Sequence, residues 1–453
     1  FFNSENYLVI LFVLFFLSYL CKTLCLILFY HKQYSFTYNL KAELTSKVFK
    51  KYIKSPYIFH LNNDTSQLLR NIGNEVSLIS TGIIHQLITI GAELLIIISI
   101  IVFLLYKEPV IISLLTIFFI FFTLFYFFFI SKKIKNLGHL RQSITTNIIK
   151  KTMNSLYGIK DIKILGKENF FHKKFEEATF KLSNLTTTIS IYSQIPKSII
   201  ELVFIFIVCI VVIQIDNVNQ VIPIVGLILF AGIRMMPPIS KILLGFQNLK
   251  YNAPAMDVIF EILKSQDKED IKENIIEKLN FKKNITFKDV SFSYDDNNVV
   301  LKNLNITINQ GEKIGIFGNS GQGKSTFIDL ISTLITPTKG KILVDGVEIN
   351  NKNSYKWRSK IGYVPQKVYI MDDKLKNNIA LGEEEENIDI EKVKEVIKKT
   401  NLLSLRPDEN IEELLNFKIS DRGLNLSGGE MQRIGLARSL YVESQILILD
   451  EAT

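Results

Sequence analysis

Residues Gly318-Asn319-Ser320-Gly321-Gln322-Gly323-Lys324-Ser325-Thr326 have the form G-x-x-x-x-G-K-S, the pattern of a phosphate-cradling P-loop. The composition follows from the chemistry. Glycines let the backbone curl until successive N–H groups point at phosphate oxygens. A helix starting near Lys324 turns its positive end on the same anion. Lys324 supplies a point charge to the β- and γ-phosphates, and Ser325 a hydroxyl to Mg²⁺. A second candidate is Ile446-Leu-Ile-Leu-Asp450-Glu451, an apolar strand ending in two acids. An apolar strand cannot enclose bare carboxylates, so they lie at its mouth. One is suited to holding Mg²⁺ and the next to orienting or deprotonating an attacking water. Between the two lies Leu426-Ser427-Gly428-Gly429-Glu430, followed by an amphipathic helix. A small hydroxyl and two glycines at a helix start make a second phosphate-binding surface. One nucleotide needs one P-loop, so the spare surface is explained by a nucleotide held on another copy.

These groups need an α/β scaffold, and the surrounding residues supply its signals. Ile285–Phe287, Val290–Tyr294, Leu304–Ile308 and Lys313–Phe317 read as strands, and Thr326–Ile335 as an amphipathic helix. Residues 281–453 therefore form the ATP-binding domain, and the charged, helix-prone residues 264–280 a linker. Residues 1–263 are different in kind. Val110–Ile130 is 21 residues without a charge, the length that crosses a hydrocarbon core. Tyr7–Tyr30 is interrupted by Lys22, Gly82–Tyr106 by His85 and Glu93, and Ser198–Ile215 by Glu201; Val221–Ile233 is short and meets Arg234 and Pro237–Pro238. These make five spans of an α-helical transmembrane domain.

The formal net charge of +9 raises nucleic acid as a partner, but the basic residues flank the apolar spans and instead report orientation. Residues 31–78 hold seven Lys/Arg against three Asp/Glu, and residues 131–197 thirteen against four. By the positive-inside rule these stretches are cytoplasmic. The fifth span then delivers the ATP-binding domain to the cytoplasm, and alternation places Phe1 outside. A further span upstream brings the total to six. The basic stretches read as helices continuing the spans inward, Leu40–Ile53 and Ile144–Leu156 among them, with breaks from Ser55 to Asp64 and from Tyr157 to Lys167. Those breaks are the natural points for touching another domain. Cys21, Cys25 and Cys209 lie in apolar runs and read as packing residues, with no disulfide framework.

Taken in order, the P-loop, Gln366 in Tyr-Val-Pro-Gln, Leu-Ser-Gly-Gly and Leu-Asp-Glu-Ala-Thr resemble the nucleotide-binding domain of ATP-binding cassette (ABC) transporters, over about residues 281–453. The first half resembles the fused exporter type. The resemblance implies an ABC-type ATPase using ATP and Mg²⁺, integral to the plasma (bacterial inner) membrane, working as a dimer with a second half-transporter. It implies that Tyr294 stacks on adenine, that Gln366 approaches Mg²⁺ and water, and that Asp450 ligates the metal. Glu451 is then the general base, and Ser427 and Gly429, with Gly428 between them, meet the γ-phosphate on the partner's nucleotide. Glu430 stands where Gln is usual, an acid close to a phosphate. The family's loop and switch histidine after the Leu-Asp-Glu-Ala-Thr motif are not in this sequence, so the expectation is that the activity belongs to a longer parent chain. The stretches Ser55–Glu75, Arg234–Pro238 and Gln247–Leu263 resemble the lipid-linked oligosaccharide flippase branch. A multidrug or lipid exporter, and a non-transporting regulatory subunit, stand as the other readings.

Three charges stand out. At 1.5 Å per residue, Glu93, Glu201 and Arg234 each lie roughly 20 Å from the outer end of their spans. A charge at such depth costs about 2.5–3.5 kcal/mol unless paired or wet. The expectation is that all three bear on cargo, with Arg234, beside a helix broken at Pro237–Pro238, engaging an anionic headgroup such as a lipid pyrophosphate.

Overall fold

Ser4–Lys54 contains neither glycine nor proline and forms one helix, α1, of 51 residues. It stops where Pro56 excludes the helical conformation from Ser55. The structure, a computed structural model, describes residues 4–107, 109–214, 218–264, 281–294, 299–350, 353–420 and 423–451. The chain divides into two compact units, Phe1–Ser55 with His60–Asp267, and Lys268–Thr453 with Pro56–Phe59.

After α1, the first unit continues through α2 (Tyr57–Asn62), whose opening turn groups with the second unit, and α3 (Thr65–Arg70). Asp64 caps α3 by accepting the Ser66 N–H at 3.0 Å. The Lys150 ammonium, with that N–H, holds its carboxyl down at about 2. Two π-helical turns, Asn71–Glu75 and Ser80–Ile84, flank α4 (Val76–Ile79) and lead into α5 (His85–Lys107). Then come α6 (Pro109–Tyr157), α7 (Ile159–Ile164), α8 (Glu168–Gln214) and α9 (Val218–Lys264). Both expected breaks are present, at α2 and at α7, and the basic stretches do continue the helices. Helices over Val9–Lys54, Thr65–Tyr106 and Glu168–Ile210 are long and apolar enough to cross a membrane. The runs Val110–Ile130 and Val221–Ile233 lie in the first halves of α6 and α9. Of the expected linker 264–280, Lys264 ends α9 and residues 265–280 lie outside the described residues.

One expectation fails here. The helix α9 is not broken at Pro237–Pro238 but runs through both prolines. Neighbouring helices support it, with Pro238, Ile239, Ile242 and Leu243 buried against the bundle.

Close approach of α6 and α9 rests on Gly138, where a Cβ would lie 2.3 Å from the Tyr251 carbonyl. Beside that crossing sits a buried polar cluster. Arg70, Glu75 and Arg141 are 9%, 1% and 7% exposed. Glu75 accepts from Arg141 at 2.9 Å and from Gln142 at 3.1 Å, and lies 3.5 Å from the Arg70 Nε. Arg70 also donates to Thr146 and Asn71, Asn71 to the Tyr52 hydroxyl, and Arg141 to Asn252. The cluster ties α1, α3, the first π-turn, α6 and α9.

The second unit opens with β1 (Asn284–Ser293) and β2 (Val299–Asn309), then α10 (Lys324–Ile331), β3 (Lys339–Val344) and β4 (Val347–Glu348), whose strands make an antiparallel sheet in the order β2-β1-β3-β4. Following these are α11 (Ser354–Arg358), β5 (Ile361–Val364), α12 (Leu375–Ile379), α13 (Ile390–Lys399), α14 (Ile411–Leu415), α15 (Gly428–Tyr441) and β6 (Ile446–Leu449). β5 and β6 pair in parallel. The sheet side of α10 is fixed by Phe287, 1% exposed and stacked on Phe327 at 5.1 Å between ring centroids. Burying such a ring contributes about 1.5–3 kcal/mol. The end of α10 is held by Trp357, whose indole N–H donates to the Ile331 carbonyl at 2.6 Å.

Lys313–Phe317, expected as a strand, joins neither sheet among the described residues. It has no assigned secondary structure and pairs with none of the described strands, and Phe317 is 94% exposed. Ile314 and Ile316 instead line a cavity of about 570 Å³ whose other walls come from α10 and β6.

Candidate functional site

The loop from Gly318 reaches α10 through two left-handed residues, Gly321 at φ +82° and Gly323 at φ +90°. Gly323 is the N-cap of α10 and offers no side-chain oxygen, so the first N–H groups of the helix stay open to an anion. Lys324 folds back over the loop, its Nζ 2.5 Å from the Gly318 carbonyl and 3.1 Å from that of Asn319. Ser320 and Ser325 are exposed, whereas Thr326 is buried and shares a 3.2 Å hydrogen bond with the Tyr294 hydroxyl. Tyr294 itself stands edge-on to Phe292 and is 39% exposed, with a ring face free to stack.

The carboxylates are placed by strand register. β5 and β6 pair Val364 with Leu449, and the Asp450 N–H donates to the Val364 carbonyl at 3.0 Å. Two residues further along each strand, Gln366 and Glu451 stand together, the Gln366 Nε2 donating to Glu451 Oε2 at 2.5 Å. Glu451 sits at φ +49°, a left-handed conformation uncommon for a side chain of this size. Asp450 accepts from the Tyr363 hydroxyl at 3.3 Å. Burial, with the Asp450 charge adding to it, pushes that hydroxyl up to about 12, so it stays a donor. Burial, followed by Asp450, also raises the carboxyl of Asp329 on α10. Gly318, Lys324, Asp450 and Glu451 line the same cavity. Ser325, Asp450 and Gln366 offer a hydroxyl, a carboxylate and an amide oxygen, the hard donors that suit Mg²⁺.

Ser427, Gly428 and Gly429 are not brought to that cavity. They are exposed at the start of α15, where Ser427 is the N-cap. The Ser427 hydroxyl accepts from the Glu430 N–H, and Glu430 Oε2 accepts from the Ser427 N–H at 2.6 Å, a reciprocal capping box. That N–H holds the Glu430 carboxyl below its usual range. The acid at this position therefore turns back onto its own helix end, and glutamate does there what glutamine would do.

The three charges in the spans do not converge. Glu93 is 7% exposed and takes the Lys241 ammonium at 2.5 Å, so its charge is spent inside the bundle rather than open to cargo. Glu201 lies 4.0 Å from Lys197 on its own helix. Arg234 is exposed, donates to the Tyr19 hydroxyl at 3.2 Å and lies over Phe230. Lys22 sits 4.8 Å from the Tyr19 ring centroid, so two cations bracket one tyrosine. Sequence reasoning missed Lys241 and Tyr19. A signal for Lys241 existed, since it falls seven residues after Arg234 and so on the same helix face.

Comparison with known proteins agrees with this geometry. The family profile of the ABC transporter transmembrane region matches residues 2–232, and that of the ABC transporter matches residues 301–453. The heterocyst differentiation ATP-binding protein HepA of Nostoc sp. is 32% identical over 298 residues, covering 65% of this chain and 48% of that protein. The ATP-dependent lipid A-core flippase 2 of Colwellia psychrerythraea is 29% identical, covering 72% of this chain and 56% of that protein. The putative multidrug export ATP-binding/permease protein YgaD of Bacillus subtilis is 30% identical over 49% of this chain and 37% of its own length. The chain thus spans about half the length of these curated relatives. The structure of a bacterial Atm1-family ABC exporter with ATP bound superposes with a TM-score of 0.79 at 21% identity, over 92% of this chain and 73% of that one, a likeness of fold. With a membrane-region profile covering its first half and a P-loop, paired carboxylates and a Leu-Ser-Gly-Gly helix start in its second, this chain belongs to the ABC transporters.

Proposed function

We propose that the protein containing this chain hydrolyses ATP to export or flip an amphipathic substrate across a membrane, and that the substrate is a lipid-linked oligosaccharide. The carrying observation is one cavity lined by Lys324, Asp450 and Glu451 in a chain whose other unit is built of membrane-length apolar helices. Residues 1–263 form the membrane domain and 281–453 the ATP-binding domain. Lys324 releases its loop carbonyls to take the β- and γ-phosphates, the open N–H groups of α10 take the remaining oxygens, and Tyr294 stacks on the adenine. Ser325, Asp450 and Gln366, the last through its amide oxygen, would hold Mg²⁺, which would supply charge neutralisation to the phosphates. The Gln366 Nε2–H that Glu451 accepts orients the carboxylate, whose remaining oxygen takes a proton from water.

A second copy completes the site. A Cβ at Gly428 or Gly429 would meet nothing within 4 Å, so no packing among the described residues requires glycine there. Glycine there leaves room for a phosphate to approach the helix start, which suits a second half-transporter, in our reading a second copy, whose nucleotide Ser427–Gly429 would cover. The break at Ser155–Lys167 and the one near Phe59–Thr65 are the proposed points of coupling between domains.

Arg234 is the residue proposed for cargo. It is cationic and exposed, lies within an apolar span, and has no carboxylate at ion-pair distance among the described residues. Its fork suits a pyrophosphate or phosphate headgroup. A lipid or multidrug exporter is the second reading, favoured by the names of the relatives. The test is ATP turnover of the purified full-length protein in lipid, with and without a lipid-linked oligosaccharide. Arg234→Ala is expected to abolish the cargo-stimulated increment while sparing basal turnover, and Arg234→Lys to restore part of it. Stimulation that survives Arg234→Ala refutes the cargo role, and stimulation by hydrophobic drugs alone favours the second reading.

A further inference from the structure

The P-loop of this chain carries one side chain that the nucleotide chemistry does not call for. Gln322 is exposed, and its Oε1 accepts the backbone N–H of Asn319 at 2.9 Å. Its amide rests against Gly318, where a Cβ would lie 2.7 Å from that same oxygen. The Nε2 of Gln322 has no partner among the described residues, so a single bond holds the side chain over the loop. The geometry has a direct consequence. A phosphate presents only acceptors, and what it needs from this loop is N–H donors. At Asn319 that donor is already taken by an acceptor, and Lys324 is likewise engaged with the Gly318 and Asn319 carbonyls. Both contacts must break before an anion can sit there. Lys324 is indispensable once the anion arrives, whereas Gln322 is not.

We infer that Gln322 is a tethered stand-in for a phosphate oxygen, a side chain that occupies the anion seat when it is empty and so sets nucleotide affinity. This rests on the reading of Gly318–Thr326 as the nucleotide site. Attached three residues from the N–H it occupies, the amide competes with every incoming nucleotide. Exchanging a neutral hydrogen bond of this kind is worth about 3- to 10-fold in Kd, or about 0.65–1.4 kcal/mol. An ordinary loop brace has the opposite sign. If Gln322 served to shape the loop for phosphate, its removal would weaken binding.

The experiment is an equilibrium measurement of ATP binding to the purified full-length protein, with chelator present to prevent turnover. Gln322→Ala and Gln322→Met are both expected to tighten binding by about 3- to 10-fold, since each removes the acceptor and Met keeps the bulk. Gln322→Glu, with a charged acceptor in the same seat and within reach of Lys324, is expected to weaken it. Lys324→Ala is expected to abolish binding in every background. Weaker or unchanged binding in Gln322→Ala overturns the inference. So does tightening by Ala but not by Met, which would make bulk the obstacle. Absence of ATP binding by the parent would instead overturn the nucleotide-site reading beneath it.

Discussion

The polar cluster around Glu75 and the one around Glu451 use similar side chains in opposite ways. In the first, Glu75 is 1% exposed and meets two guanidinium groups and an amide, while the surplus positive charge is taken up by Asn71, Thr146, Asn252 and the Gln142 carbonyl. In the second, Lys324, Gln366 and Glu451 hold only provisional partners, two loop carbonyls and each other. A buried carboxylate is tolerable when opposite charge surrounds it: Glu75 Oε2 accepts from Arg141 and Gln142, and Oε1, which accepts no hydrogen bond, keeps the 3.5 Å ion pair with Arg70. A site that must accept a charged ligand needs capacity in reserve. Partners fixed on several helices mark a structural tie, and partners that a ligand can replace mark a binding site.

The sharpest way to break this comparison is Glu75→Ala. Leaving Arg70 and Arg141 buried with their shared carboxylate gone is expected to destabilise the protein by about 3–5 kcal/mol. Thermal unfolding in detergent or lipid discs reads this out, and ATP affinity at the P-loop should be untouched in the molecules that remain folded. An unchanged melting temperature would mean that the cluster ties nothing. Glu451→Gln is the converse. Turnover is expected to fall by at least ~10²-fold, with nucleotide still bound and the melting temperature unmoved. Turnover close to that of the parent would transfer the base to another residue.

Tyr363→Phe sharpens the comparison further, because it removes one long hydrogen bond to Asp450 without removing a charge. The expected loss in turnover is at most about tenfold. With its ionisation pushed up to about 12, the Tyr363 hydroxyl is protonated at every working pH. The ratio of variant to parent turnover should therefore be flat from pH 6 to pH 9. A ratio that changed with pH would show that the hydroxyl gives up its proton.

How legible each region was follows from the same difference. Lys324 and Asp450 stood out because the phosphate and magnesium roles proposed for them call for particular residue types at particular spacings, whereas Gln366 was legible only through the family resemblance. The tie around Glu75 leaves no such trace, since Glu75 finds Arg141 across 66 positions. Glu93 finds Lys241 across 148, and Arg234 finds Tyr19 across 215. Local spacing carries nothing about such pairs. Gln322 failed for a different reason. It sits at one of the unspecified places of the loop pattern, and its behaviour depends on which way a flexible amide turns. Continuity of α9 through Pro237–Pro238 was illegible because support for a proline comes from packing against other helices. The strand expected at Lys313–Phe317 had the right residues, but propensity does not say whether a ladder forms, and among the described residues this segment joins none.

The length of α1 has a mechanical side. At 1.5 Å per residue its 51 residues measure about 76 Å, more than twice the thickness of a hydrocarbon core. A stiff rod of that length is a lever with most of its arm beyond the bilayer. Tilting it by about 5° around one end displaces the other by about 7 Å, a shift larger than one helical turn. The short segment α2 sits at the tip of that arm, where angular noise too small to disturb packing among the spans becomes a displacement of atomic consequence.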